Sequence, residues 1–214
     1  MTAPTRFHRR ETDVGGALLV LGSVQFVASM AWVGSQFPRY SLTANYVSDL
    51  GNPTLSPWAW MFDLSVGCLG LFAVLASALL GAAFPGRPSA RIGRAGLGVA
   101  GIGALLVGIF PENSTELGGH VHFLASALAF VGAALALLFL ALAMFEDERW
   151  RFAALYTLLS GLVTLLAIGG FLTISTSSDV GAWERVVLAP VLLWSTVAGV
   201  RVLRLPSLPR PTPR

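Results

Sequence analysis

Ser48-Asp49, Asp63, His120-Val121-His122 and Glu184-Arg185 sit at the edges of long apolar runs, where ionisable and nucleophilic side chains are costly to keep. A serine, a carboxylate and a histidine are the parts of a nucleophile, its orienter and its base. In that reading Ser48, Asp49, His120 and His122 are the candidate catalytic residues, with either histidine as general base. Arg185 is a candidate anion clamp, and Glu184, Asp63 and Tyr46 complete a candidate ligand-binding set. Metal chemistry fits less well. Residues two apart do not share a helix face, so His120 and His122 meet on one ion only if His120 lies in a non-helical approach. Asp49, Asp63 or Glu184 would then complete the shell. No residue is assigned to a metal, and no motif names a cofactor. Each group also has a structural alternative. Glu184 and Arg185 pair with loop charges, Asp63 bonds to a neighbouring helix, and His120 is an interfacial cap. Ser48-Asp49 before Leu50-Gly51-Asn52-Pro53 is a turn or a helix start.

The elements that position these residues are membrane helices. Of 214 residues, 55% are hydrophobic and 12% charged, far from the balance of a soluble domain. A bilayer span needs about 20 mostly apolar residues. Six such runs are present, at 14–33, 58–84, 92–110, 120–145, 152–174 and 183–203. The expected fold is therefore all-α, a polytopic integral membrane protein built as a compact bundle of six transmembrane helices. Residues 1–13 are expected as a basic N-terminal tail, 14–203 as the membrane domain and 204–214 as a disordered basic tail. The run 14–33 is longer than the apolar region of a leader and precedes no small-residue cleavage site, so it is expected to be retained.

Of 14 arginines, 12 fall in the N-terminal tail, the second and fourth connectors and the C-terminal end, and only Arg39 and Arg185 fall on the other face. Positive residues favour the inside, so both termini are expected to be cytoplasmic. Trp32, Trp58, Trp60, Trp150 and Trp183 lie near helix ends, as interfacial indoles prefer. The expected location is the plasma membrane, multi-pass. The Ala-, Gly-, Leu- and Arg-rich composition, without lysine, fits a bacterial inner membrane. The basic balance reflects membrane-flanking arginine and gives no reason to expect nucleic acid as a partner. Cys68 is the single cysteine, which excludes an internal disulfide.

Gly96-x-Gly98-x-x-Gly101 matches a dinucleotide fingerprint in form, but no strand precedes it. Close helix contact within lipid explains that glycine density, and the alanines at 125, 127, 129, 133, 134 and 136, better. Asn113-Ser114-Thr115 has the form of a glycosylation sequon and carries no meaning in a bacterial chain. Ser48-Asp49-Leu50-Gly51 has a weak echo in Ser178-Asp179-Val180-Gly181, both in outer connectors.

Under this topology Asp49, Asp63, His120, His122, Glu184 and Arg185 all lie at the outer face, where the N-termini of the even-numbered helices also gather and favour anions. His8 is on the opposite side. Tyr40-Ser41, then Tyr46-Val47-Ser48-Asp49-Leu50-Gly51, Gly108-Ile109-Phe110-Pro111-Glu112, His120-Val121-His122 and Glu184-Arg185 with Trp194 downstream together resemble the bacterial and archaeal membrane family called domain of unknown function 998. The likeness covers most of the chain. It implies a compact six-helix membrane protein without an established activity, and it marks Ser48, Asp49, His120, Glu184 and Arg185. Three functional readings follow. The first is an outer-face polar site for a lipid headgroup or small amphiphile, with interfacial hydrolysis or group transfer as a special case. The second is a non-enzymatic accessory subunit that packs against a membrane protein partner. The third, with less support, is a small transporter, for which Asp63 is the sole carboxylate well within a span. The sequence leaves open whether the protein is an enzyme.

Overall fold

A computed structural model describes residues 6–84, 86–112 and 116–205. Six helices account for most of them: α1 (Arg6–Gln36), α2 (Ala59–Leu79), α3 (Pro88–Ile109), α4 (Glu116–Phe145), α5 (Arg151–Thr173) and α6 (Val180–Arg204). Short 3-10 turns lie at Ser48–Gly51 and Leu80–Ala82. All six helices are long and apolar enough to cross a membrane. In hydrocarbon a helix satisfies every backbone group within its own segment, which is why apolar runs of this length take that form.

The helices extend beyond the apolar runs. Residues 6–13, expected as a tail, are the first turns of α1, because Arg and Glu are good helix formers and no breaker separates them from the span. Helix α3 starts at Pro88 rather than 92. Proline fits the first helical position, and Arg87 before it is extended at φ −78° and ψ 153°. Helix α4 starts a turn before His120, so both histidines lie on the helix itself. Of the expected tail at 204–214, Arg204 ends α6, while 206–214 lie outside the described residues, as does the sequon at 113–115.

Each helix packs against its neighbours in sequence, and α6 closes back on α1, giving a ring of six. Across the ring, α4 and α6 also touch. Small residues set the spacing. A methyl group on Gly101 would meet the Gly70 carbonyl oxygen at 2.7 Å, and one on Gly103 would meet the Ala125 carbonyl oxygen at 2.6 Å. Helix α3 can thus lie against α2 on one side and α4 on the other at near-backbone contact. Leu166, Phe152 and Leu172 point outward, where lipid covers them.

The bundle has two unlike ends. The end that carries the 80–87 and 146–150 connectors, the start of α1 and the end of α6 is the arginine end. Here Trp150 is fully buried, not interfacial as its position at a helix end suggests. Its Nε1–H donates to the Ala83 carbonyl at 2.8 Å, and its ring stacks on Phe84 at 5.0 Å. Arg201 lies over the other part of the indole, 5.6 Å from its centroid, and donates to the Arg149 carbonyl. Arg149 donates to both oxygens of Asp147, from Nε to Oδ1 at 3.1 Å and from Nη2 to Oδ2 at 2.6 Å. Burial pushes the Asp147 carboxyl up, but its bonds with Arg149 outweigh that and hold it below the usual carboxylate range. The other end, the loop end, carries the 37–58, 110–115 and 174–179 connectors. There Trp32, Trp58 and Trp60 form an exposed aromatic group, with centroids 4.9 and 6.2 Å apart, as interfacial indoles should.

Candidate functional site

The segment 37–58 would be a loose loop by composition. It is held instead by a set of local and distant bonds. Arg39 takes a left-handed conformation at φ 59°, which turns the chain back after α1. Asn45 Oδ1 accepts from the Ser41 amide at 2.9 Å, and Asn45 Nδ2 donates to Asp49 Oδ2 at 3.0 Å. The Tyr46 amide donates to the same Asp49 oxygen at 3.0 Å. Asp49 is buried beneath its own loop by these bonds. Asp179 makes the matching bond in the echo segment, where its Oδ1 accepts from the Thr176 amide at 2.6 Å. The two Ser-Asp-x-Gly segments therefore share one local device, an aspartate that closes the turn preceding it.

Helix α6 fastens this loop from the other side. Glu184, 7% exposed, accepts the Val47 amide at 2.5 Å. Arg185 donates to the Gly181 carbonyl at 2.8 Å, the Asn45 carbonyl at 3.1 Å and the Tyr40 hydroxyl at 2.5 Å. The Tyr40 hydroxyl in turn donates to the Tyr46 carbonyl at 3.1 Å. Burial pushes the Tyr40 phenol up to about 12, against the pull of Arg185 and with help from the Glu184 and Asp49 carboxylates. The Ala182 amide donates to the Thr43 carbonyl at 3.1 Å. Only glycine fits at 181, since a methyl group there would overlap the Asn45 carbonyl.

The third side is the α3–α4 connector. Ser48 Oγ donates to Glu112 Oε2 at 2.7 Å, and His122 Nδ1 lies 2.9 Å from the Phe110 carbonyl oxygen. A carbonyl oxygen only accepts, so Nδ1 carries the hydrogen in this contact.

Beneath this layer the ring encloses a cavity of about 120 Å³. Its walls come from α1, α2, α3, α4 and α6, and are mostly apolar: Phe62, Val66, Leu97, Ala104, Phe130 and Val187 among them. Ser48, His122 and Glu184 meet it at the loop end, with Ser126 and Ser195 further along. Glu184 and Ser195, both on its wall, are eleven residues apart on α6, a rise of about 16 Å along the helix.

Of the residues singled out from sequence, Ser48, His122 and Glu184 converge on the cavity. Tyr46, Asp49 and Arg185 lie beside them but hold the loop, so the guanidinium proposed as an anion clamp is engaged by three protein oxygens. His120 is exposed and apart from the cavity. Asp63 is half-buried against Gly51, also apart from it. Among the described residues no three His, Cys, Asp or Glu side chains come together as a metal shell. Sequence reasoning gave no role to Glu112, Tyr40 or Asn45. Tyr40 and Glu112 stand inside the very strings that carry the family resemblance, and that was the available signal.

The fold and the site together define a multi-pass membrane bundle whose central cavity ends in a polar cap. The chain belongs to the family described as Protein of unknown function (DUF998), whose model matches residues 20–201. Comparison with curated proteins and with solved structures returns no match.

Proposed function

We propose that the protein binds a single-chain amphiphile, with its apolar chain in the ring and its polar end under the 37–58 loop. The observation that supports this is the chemistry of the cavity: a mostly apolar wall that meets Ser48, His122 and Glu184 at the loop end. The wall follows α6 for about 16 Å from Glu184 to Ser195, a length along which a lauroyl chain serves as the probe. The arginine distribution supports a reading in which the loop end faces the outer side of a bacterial inner membrane and the termini face the cytoplasm. The glycines of α3 face α2, α4 and other groups of the same chain, so they offer no small-residue face to a partner subunit. This favours a ligand site over an accessory role.

The test uses the full chain in detergent micelles with 1-lauroylglycerol as the probe, read by native mass spectrometry. Ala133, on α4, lines the cavity. Ala133→Phe should fill it and abolish lauroylglycerol adducts, while Leu166→Phe on the lipid-facing side should leave them unchanged. Equal adducts in both variants would overturn the reading.

A second reading, acyl hydrolysis or transfer at the same cap, draws on the Ser48 hydroxyl, which already donates to the Glu112 carboxylate beside the cavity. Release of laurate from lauroylglycerol by the native chain, and its loss in Ser48→Ala, is the measurement that decides it.

A further inference from the structure

We infer that the polar end of the cavity selects an amphiphile whose head donates hydrogen bonds, an alcohol or an amine, and rejects phosphate and carboxylate heads. This rests on the binding role proposed above and adds the class of head group to it. The inference comes from following the donors that border the polar end of the cavity to their acceptors. The Val47 amide donates to Glu184. The one hydroxyl hydrogen of Ser48 goes to Glu112. His122 Nδ1 faces the Phe110 carbonyl. The Arg185 guanidinium, the nearest cation, binds Tyr40, Asn45 and Gly181 and does not line the cavity.

What remains toward the cavity is acceptor capacity. Glu184 has a carboxylate with one oxygen bound to an amide. Ser48 has the lone pairs of its oxygen. Among the described residues that line the cavity there is a carboxylate and an imidazole but no arginine, and the chain has no lysine. Asp49 and Glu112 stand immediately behind and add negative charge. A phosphate or carboxylate head would bring further acceptors and a like charge toward Glu184, with no arginine or lysine on the described wall to meet them. A hydroxyl or an ammonium would supply the missing donors.

The experiment is a competition among four probes of equal chain length against the full chain in micelles: 1-lauroylglycerol, dodecylamine, lauric acid and lauroyl lysophosphatidic acid. Adduct formation is followed by native mass spectrometry. The two donor heads should bind about tenfold or more tightly than the two acid heads. Glu184→Gln keeps a carbonyl for the Val47 amide, so the loop stays bonded, but places an NH₂ donor beside the cavity. It should shrink the gap between lauroylglycerol and lauric acid severalfold. Ser48→Ala removes one acceptor without adding a donor and should weaken dodecylamine and lauroylglycerol alone. Equal binding of all four heads, or preference for the acids, would overturn the head-group selectivity and leave the cavity reading standing. Failure of all four to bind would overturn the cavity reading itself.

Discussion

The two ends of the ring use polar groups in opposite ways. At the arginine end, Arg149, Arg201, Asp147 and Trp150 close on one another and on backbone carbonyls, and Phe84 and Met144 fill the space between. Among the described residues, none of these four lines the cavity. At the loop end, an equally dense set of bonds holds the loop, yet it leaves Ser48, His122 and Glu184 facing a cavity. Stability needs only the first arrangement. The second leaves buried acceptors without a full set of partners, which costs free energy unless something else supplies them. The contrast teaches that burial of charge alone does not mark a site. What marks it is which of the buried groups faces empty space.

The contrast can be broken most severely at the arginine end. Trp150→Ala removes a fully buried indole, its bond to Ala83 and its stack with Phe84. It should cost about 3–5 kcal/mol of stability, seen as a large drop in the thermal unfolding midpoint in detergent. Lauroylglycerol binding measured below that midpoint should be unchanged, since the cavity lies elsewhere. Loss of binding in a folded variant would show that the ends are not separable.

A smaller effect is expected at the loop end. Glu184→Ala leaves the Val47 amide without its acceptor and should cost about 1–3 kcal/mol. The same change should loosen the 37–58 loop, read as faster amide exchange at Val47 and Ser48. Glu184→Gln should leave that exchange slow. If both variants exchange alike, the carboxylate does not anchor the loop.

The smallest effect is a pH dependence at the arginine end. The Asp147 carboxyl is held below its ordinary value in the folded protein, so its stabilising contribution is fully present above about pH 4. It is lost as pH falls through the lowered folded value. The unfolding midpoint of the native chain should therefore decline on the acid side of pH 4, and Asp147→Asn should flatten that limb. A limb of unchanged slope would mean that other carboxyls govern it.

Much of this architecture was legible in the sequence. Six apolar runs gave the helices, and the clustering of Ser48, Asp49, Asp63, His120, His122, Glu184 and Arg185 at one face pointed to a polar layer there, without telling that Ser48, His122 and Glu184 reach the cavity while His120 and Asp63 do not. The cavity was not legible, for a physical reason. The wall toward the cavity and the wall toward lipid are built from the same chemistry, so Val66, Leu97 and Val187 look no different from Leu71, Ile102 and Val186. Roles within the cluster were also hidden. Whether Arg185 clamps a ligand or ties down Asn45 depends on where the loop carbonyls fall, and nothing in the residue types decides that. Trp150 shows the same limit, since a tryptophan at a helix end reads as an interfacial anchor until its neighbours are known.

The closed ring also governs how the protein is made. Each of α2 to α5 can pack on the helix inserted before it, so five helices assemble through contacts local in sequence. Helix α6 must instead reach back to α1, and it carries Glu184 and Arg185, which fasten the first connector. Until it arrives, the cavity stands open to the bilayer along one side and the 37–58 segment has no anchor. One helix therefore closes the wall and fastens the cap together, and a chain halted before α6 would lack both.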